Sequence, residues 1–252
     1  MQSGSVEAFL GIQYGKYEPF RRSERFEYNP SCGVIDGTHP APFFPQHLTP
    51  TQFMVTYLPF KTSLISSFRE AGYAEIGDLH LNIVRPIQAE NCPVMVWIHG
   101  GGFYIGGASQ FDPSALVAYE NVVVVTINYR LGAHGFLPEV QSNNAIMDQI
   151  LALEWVKDNI KEFGGNPNNV TIFGESAGAI CVDTLVHSPR AKGLFHQAIS
   201  QSGTLYSKIA PADLSLANSA YREHFDLTDN QSISDYLSQM ETKGLGLAVR
   251  LE

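Results

Sequence analysis

The feature that most constrains the fold is a series of short apolar runs separated by stretches with helical spacing. Residues 94–98 (VMVWI), 122–127 (VVVVTI) and 170–173 (VTIF) are largely apolar, which is typical of strands buried on both faces of a sheet. Residues 145–163 carry apolar side chains at helical spacing, and residues 177–187 form another helix-compatible stretch. Strands that alternate with helices predict an α/β fold with a mostly parallel central sheet and helices on both faces.

The other segments are less regular. We predict a short hairpin over residues 4–15, an irregular wrapping segment over 16–70 with a helix near 63–71, a strand over 79–86, a helix over 113–119 and a strand over 196–200. Asn143 or Asn144 is predicted to cap the helix at 145–163, and Gly164-Gly165 to end it.

No internal repeat, low-complexity tract or linker interrupts the chain, so we expect one domain over residues 1–252. The predicted parts are N-terminal strands with the wrapping segment (1–90), a βαβ core (91–203) and a mostly helical tail (204–252). The tail shows no further buried strand. We therefore expect a partial sheet that exposes an edge, and self-association of the chain through that edge.

Charge and cysteine usage exclude several classes of function. The net charge of −9 argues against a nucleic-acid or anionic-membrane partner, since both require a basic face. No apolar run approaches the ~20 residues that span a bilayer, and residues 1–10 lack the pattern of a secretory signal. Cys32, Cys92 and Cys181 have neither metal-ligand nor disulfide-framework spacing, so we expect no metal site and three reduced thiols in a cytosolic protein.

The strongest chemical motif is Gly174-Glu175-Ser176-Ala177-Gly178, which lies between a predicted strand and a predicted helix. A bare GxSxG occurs by chance, but this context is that of a nucleophile elbow, a sharp turn that raises a serine hydroxyl above the sheet. We expect Gly174 and Gly178 to be required because a side chain there would collide with a neighbouring element. Ser176 is therefore the predicted catalytic nucleophile.

A second motif, His99-Gly100-Gly101-Gly102-Phe103, follows the strand at 94–98. Ester hydrolysis passes through a tetrahedral oxyanion that requires preorganised N–H donors, and glycines let backbone amides approach a substrate closely. We predict an oxyanion hole formed by the N–H groups of Gly101, Gly102 and Ala177. His99 is expected to support this loop rather than to act as an acid or base.

On these motifs the chain resembles the type-B carboxylesterase family, which includes cholinesterases and juvenile-hormone esterases. The matching stretches span residues 9–203 and include FLGIQY, PVMVWIHGGGF, VVVVTINYRLGAHGFL, NNVTIFGESAGA and KGLFHQAISQSG. The resemblance implies an α/β-hydrolase fold, hydrolysis of carboxylic esters through an acyl-enzyme, and no cofactor. It also implies that Ser202 is a buried serine that supports the site. Glu175 lies beside the nucleophile, where it either supports the site by influencing a cationic substrate or a water, or is a variable position of the turn.

The chain departs from the family pattern at several places. Ile76-Gly77-Asp78-Leu79 replaces the usual Glu-Asp-Cys-Leu, so one N-terminal disulfide is absent. The N-terminal loop region contains no tryptophan to hold a quaternary ammonium, which makes choline esters poor substrates. Arg130 matches an ion-pairing position whose usual acidic partner is missing, and we expect Glu75 or Asp78 to substitute.

The most serious departure concerns the catalytic triad. In α/β-hydrolases the order is serine, acid, histidine, with the last two far downstream of the nucleophile. His187, His196 and His224 follow Ser176, but their predicted positions suit surface or packing roles, so the base and acid are not identifiable. We predict the first half of a serine carboxylesterase acting on small to medium uncharged esters. The alternatives are a non-catalytic binding module with this fold and an inactive, truncated esterase.

Overall fold

The computed structural model describes residues 5–28, 31, 35–44, 78–137, 143–207, 219, 222–223, 226–228 and 231–242. The strands there are β1 (Val6–Lys16), β2 (Glu24–Arg25), β3 (Asp78–Pro86), β4 (Cys92–Ile98), β5 (Val123–Ile127), β6 (Gly165–Glu175) and β7 (Gln197–Gln201). They form one seven-stranded sheet in the order β2-β1-β3-β5-β4-β6-β7. The helix expected near residues 63–71 and most of the tail lie outside the described residues.

The helices whose bounds fall within the described residues are α1 (Ser114–Glu120), α2 (Gly132–Phe136), α3 (Asn144–Asn159), α4 (Ala177–His187) and α5 (Ile233–Thr242). Short 3-10 turns occur at Ala108–Gln110, Ile160–Phe163 and Pro189–Ala191. Asn143 occupies the cap position of α3, but its side chain makes no capping hydrogen bond. The helical segment ends at Gly164, as predicted, although its last four residues form a 3-10 turn. Gly164 has the left-handed conformation, and its N–H donates to the Ile160 carbonyl.

The sheet is mixed, with a parallel part and an antiparallel flank. Strands β5, β4, β6 and β7 run parallel to one another, whereas β3 is antiparallel to β5, and β1 is antiparallel to both β2 and β3. Parallel neighbours cannot be joined by a tight turn, so α1, α3 and α4 each connect two of the parallel strands. This topology places the carboxyl ends of β4 and β6 side by side.

Apolar side chains cover both faces of the inner parallel strands β4 and β5. On one face Val94, Val96 and Ile98 of β4 belong to a cluster that includes residues of α3 and α4. On the other face Val124 of β5 packs in a second cluster with Val117 of α1. The predicted arrangement of helices on both faces is therefore confirmed, and every residue of β5 is buried.

The hairpin predicted for residues 4–15 is wrong, because residues 6–15 lie within the single long strand β1 (Val6–Lys16). This strand pairs with β3 from Val6↔Pro86 to Lys16↔Asp78, with two irregularities in register. Gly11 has φ +65°, and a β-carbon there would lie 2.6 Å from the carbonyl oxygen of His39. The glycine thus permits another segment to approach the strand closely and does not mark a turn.

Strand β7 forms one edge of the sheet. Its five residues, QAISQ, are all exposed, and within the described residues it pairs only with β6. The predicted strand at 196–200 is thereby confirmed with a shift of one residue. No helix in the described ranges is long and apolar enough to cross a bilayer.

Candidate active site

Ser176 alone makes the turn from β6, which ends at Glu175, into α4, which begins at Ala177. Its backbone has φ 54° and ψ −119°, a conformation that L-residues rarely adopt. The Ser176 N–H donates to the Gln201 carbonyl at 2.9 Å, and the Ser176 carbonyl accepts from the Ile180 N–H at 3.1 Å. The strained turn is therefore held by both β7 and α4.

The glycines on either side of the turn face the end of β4. A β-carbon on Gly174 would lie 2.6 Å from the Ile98 carbonyl oxygen and 2.7 Å from the Gly178 backbone. A β-carbon on Gly178 would overlap the Ile98 carbonyl oxygen and lie 2.8 Å from the His99 carbonyl oxygen. Both positions require glycine because the turn packs directly against the adjacent strand.

The glycine loop, residues 99–107, follows β4 and faces the serine turn. Ile98 pairs with Gly174 in the parallel ladder, which brings the ends of the two strands together. A β-carbon on Gly100 would lie 3.3 Å from Cβ of Ser176 and 2.6 Å from the carbonyl oxygen of Glu175. The two motifs that the sequence singled out are thus direct neighbours.

The N–H groups of Gly101 and Gly102 are available as donors. These residues have φ +109° and +64°, and the Gly101 carbonyl accepts from the N–H groups of Tyr104 (3.2 Å) and Ile105 (3.1 Å). Within the described part of the chain, neither Gly101 N–H nor Gly102 N–H donates a hydrogen bond. A glycine loop with unpaired amides beside a serine can bind an oxyanion.

Ala177 contributes the first N–H of α4. The first N–H groups of a helix have no intrahelical acceptor, and they lie at the positive end of the helix dipole. Ala177 is fully buried at the turn, so its amide is held rigidly beside Ser176. The amide suits a developing negative charge better than a neutral group.

His99 is buried at the start of the glycine loop. Its Nδ1 lies 2.8 Å from the Gly100 carbonyl oxygen, and its ring stacks on that of Tyr129 with centroids 4.3 Å apart. Burial lowers the pKa of His99 to about 4, so the ring is neutral near pH 7. Because a carbonyl oxygen only accepts, the neutral ring carries its proton on Nδ1 and donates to Gly100.

The two residues predicted to support the site, Glu175 and Ser202, lie in different parts of the structure. Glu175 is exposed, and its Oε2 would lie 3.1 Å from a β-carbon on Gly100, which places the carboxylate beside the loop. Ser202 is exposed, with φ 60°, so the expectation that it is buried is wrong. Ser202 follows the outer strand β7, and no described element covers that strand.

The histidines downstream of Ser176 lie away from it where they are described. His187 ends the 11-residue helix α4, roughly 16 Å along the axis from Ser176. The Nδ1 atom of His196 accepts from the N–H of Val170 at 3.1 Å, so it lies at roughly 20 Å from Ser176 along β6. His224 lies outside the described residues. Within the described residues no histidine ring hydrogen-bonds to Ser176.

The acidic partner of Arg130 is Asp148, and not Asp78 as expected; Glu75 lies outside the described residues. Both side chains are fully buried. Arg130 Nε donates to Asp148 Oδ2 and Nη2 donates to Oδ1, each at 2.7 Å. Asp78 instead accepts from Gln13 Nε2. The bidentate pair of Arg130 and Asp148 connects the segment after β5 to α3.

Sequence reasoning missed the part that Asn128 and Tyr129 play in the site. The Tyr129 hydroxyl donates to the His99 carbonyl at 2.6 Å, and Asn128 Oδ1 accepts from the Ala108 N–H at 2.7 Å. These two residues directly follow β5 and hold both ends of the glycine loop. Polar residues immediately after a fully buried strand were the available signal. No group of metal-ligating side chains occurs in the described ranges.

Comparisons with known proteins assign this chain to a family. The chain matches the Carboxylesterase family over residues 1–249. It is 43% identical over 211 residues to a medium-chain fatty acyl-CoA hydrolase precursor of Anas platyrhynchos, an alignment that covers 79% of this chain and 37% of that protein.

Solved esterase structures share the fold. A juvenile hormone esterase from Manduca sexta with OTFP covalently attached has a TM-score of 0.79 and 30% identity, covering 96% of this chain and 46% of its own. A thermophilic pNB esterase has a TM-score of 0.75 and 34% identity, covering 97% and 50%. The chain therefore spans about half the length of these esterases or less. It has their α/β-hydrolase fold and belongs to the carboxylesterase family.

Proposed function

We propose that this chain carries the nucleophile and the oxyanion hole of a serine carboxylic ester hydrolase. Ser176 is the nucleophile, and the N–H groups of Gly101, Gly102 and Ala177 bind the oxyanion. The observation that carries the proposal is the contact between the strained serine turn (φ 54°, ψ −119°) and a glycine loop whose amides have no acceptor among the described residues.

The reaction is acyl transfer through an acyl-enzyme. Ser176 Oγ attacks the ester carbonyl carbon while a general base takes its proton, and the carbonyl oxygen becomes an anion held by the three amides. Collapse of this intermediate breaks the bond to the alcohol, which leaves with a proton returned by the same base. Water then hydrolyses the acyl-serine by the same steps. We place the base, a histidine, in the part of the family fold that this chain does not span.

We propose small to medium uncharged esters as substrates. The exposed carboxylate of Glu175 lies beside the glycine loop, where it disfavours an anionic group. No tryptophan occurs in the N-terminal loop region to bind a quaternary ammonium. The names of the relatives, a medium-chain fatty acyl-CoA hydrolase and a pNB esterase among them, agree with an acyl ester or thioester carbonyl as the point of attack.

A fluorophosphonate tests the nucleophile, because it phosphonylates a serine whose developing anion is stabilised. We expect a covalent adduct on Ser176, located by mass spectrometry of the digested chain. Ser202 is the internal control, since it is more exposed than Ser176 and also has a positive φ. Where the gene continues beyond residue 252, the longer product should label faster, since it adds the base.

Two results would contradict the proposal. Equal labelling of Ser176 and Ser202 would show that Ser176 has no special reactivity. A complete absence of adducts on Ser176, in this chain and in any longer product, would favour the alternative function, a non-catalytic binding module. The specific observation in favour of that alternative is that no described histidine ring hydrogen-bonds to Ser176.

We also propose that the chain self-associates through β7. All five residues of this strand are exposed and none is charged, so it lacks the usual protection of an edge strand. Ile199 lies in the middle of the strand and is 44% exposed. Sedimentation should show dimers or larger species that Ile199→Lys shifts towards monomer, whereas a monomeric wild-type chain would exclude this contact.

A reducing, cytosolic location is the last part of the proposal. Cys92 and Cys181 are buried free thiols, which agrees with a compartment that does not form disulfides. Cell fractionation with an antibody to the chain should recover it in the cytosol. Recovery in a secreted or luminal fraction would contradict the proposal.

A further inference from the structure

We propose that Tyr129 is a positioning residue that, together with the ring of His99, fixes the peptide plane carrying the Gly101 N–H. This inference rests on the proposed function, in which that N–H is an oxyanion donor. It assigns a role to the segment that directly follows β5.

The contacts of Tyr129 lead to the glycine loop by two routes. Its hydroxyl donates to the His99 carbonyl at 2.6 Å, and its ring lies against the imidazole of His99 with an interplanar angle of 16°. Tyr129 is completely buried, and burial raises the pKa of its phenol well above the usual 10. The hydroxyl therefore remains a proton donor, and this one residue holds both the backbone and the side chain of His99.

His99 passes this constraint to the donor peptide. Its Nδ1 lies 2.8 Å from the Gly100 carbonyl oxygen. In a planar trans peptide the carbonyl of one residue and the N–H of the next point in opposite directions. The bond to the Gly100 carbonyl therefore sets the direction of the Gly101 N–H, which must point away from the His99 ring.

Nothing else among the described residues fixes this imidazole by a hydrogen bond. The Nε2 atom of His99 is buried without a hydrogen-bond partner in the part of the chain that the structure describes. The ring is also packed against Gly106, where a β-carbon would lie 2.8 Å from its Cε1. Stacking on Tyr129 and contact with Gly106 thus determine the ring plane, and the ring plane determines the Gly101 peptide.

A first experiment uses the wild-type chain labelled with ¹⁵N. We expect imidazole nitrogen shifts showing that neutral His99 carries its proton on Nδ1 and none on Nε2. A ring protonated on Nε2 could not donate to the Gly100 carbonyl, and this result would overturn the inference. The measurement uses the wild-type chain, so it depends neither on catalysis nor on whether a variant folds.

A second experiment compares Tyr129→Phe with Tyr28→Phe. The first variant keeps the stacked ring but removes the donor to His99. The matched control removes a partly buried hydroxyl that accepts from the Gln13 N–H at 2.8 Å on the antiparallel flank of the sheet. We expect the Gly101 amide signal to shift in Tyr129→Phe and to stay unchanged in Tyr28→Phe.

Phosphonylation kinetics complete the test. In Tyr129→Phe we expect the maximal rate of Ser176 labelling to fall about tenfold, less than the loss of a whole oxyanion donor, with unchanged half-saturation by the fluorophosphonate. Tyr28→Phe should label like the wild type. If the wild type labels and Tyr129→Phe labels at the same rate, the positioning role is wrong and the proposed function stands. If neither the wild-type chain nor any longer product labels, the proposed function fails, and the two NMR measurements still decide the role of Tyr129.

Discussion

Gly101 and Gly102 are adjacent glycines with positive φ, yet the structure predicts very different costs for replacing each with alanine. At Gly101 (φ +109°) a β-carbon would overlap the carbonyl oxygen of Ile105 and lie 2.8 Å from its carbonyl carbon. At Gly102 (φ +64°) the nearest atom is Cδ2 of Tyr104 at 3.8 Å. A β-carbon on Gly101 is blocked by backbone, whereas one on Gly102 has open space.

The expected magnitudes follow from these distances. Gly102→Ala places alanine in the left-handed region, which costs about 1–2 kcal/mol, partly offset by the lower entropy of the unfolded chain. Gly101→Ala adds a collision with backbone that no side-chain rotation relieves. Overpacking of this kind costs about 1–3 kcal/mol more. We therefore expect Gly101→Ala to lose roughly 3 kcal/mol or more of folding free energy and Gly102→Ala about 1 kcal/mol.

Urea unfolding of the 252-residue chain, followed by tryptophan fluorescence and far-UV circular dichroism, measures both values from the midpoints. Labelling of Ser176 by a fluorophosphonate provides the second readout. The Gly102→Ala methyl group is added to a residue whose N–H is a proposed oxyanion donor, so we expect labelling to slow even though the fold is little changed. Equal midpoints for the two variants, or a Gly101→Ala variant as stable as the wild type, would refute the reasoning.

Three further predictions concern buried polar groups. Asp148→Asn leaves the Arg130 guanidinium buried without a counter-ion, so we expect the free energy of unfolding in urea to fall by about 3–5 kcal/mol. The double variant Arg130→Met/Asp148→Leu should restore most of it, and a loss under about 1 kcal/mol in Asp148→Asn would contradict the prediction. Burial lowers the pKa of His99 to about 4, so as the pH falls the unfolded chain binds a proton at this residue before the folded chain does. We therefore expect the free energy of unfolding to fall by about 3 kcal/mol between pH 6.5 and 4. His99→Asn should remove this pH dependence, and its persistence in the variant would show another origin. Burial raises the pKa of the Cys181 thiol to about 12, so this cysteine should resist alkylation at pH 8 until urea unfolds the chain, and rapid reaction in the native state would disprove its burial.

Local patterns predicted the parallel part of the sheet well. The helix predicted at 177–187 has the same bounds as α4, and the apolar run at 122–127 differs from β5 by one residue. These elements could be predicted because their apolar spacing and their glycines act over a few residues. The nucleophile motif was recognisable for the same reason, since strand, turn and helix follow one another without interruption.

The errors occurred where the deciding contact is distant in sequence. Gly11 resembled a turn residue, but its φ of +65° accommodates the carbonyl of His39, which a sequence does not reveal. Asp148 lies within a helix with regular apolar spacing, so nothing local indicates that its carboxylate is paired with Arg130. Ser202 was expected to be buried because of the resemblance, whereas its exposure depends on what lies beside β7.

The three proposed oxyanion donors share one structural property that the groups needed for proton transfer lack. Each N–H belongs to a peptide whose carbonyl is already bonded: the Gly100 carbonyl to the His99 ring, the Gly101 carbonyl to two loop amides, and the Ser176 carbonyl to the Ile180 N–H. The donors are therefore oriented before any substrate arrives, and this preorganisation is the larger part of oxyanion stabilisation. The described residues supply no matching partner for the Ser176 hydroxyl. A chain that has the oxyanion donors but no base should form a tetrahedral adduct slowly and stabilise it once it has formed. Adding the base should therefore raise the labelling rate far more than it changes the stability of the adduct.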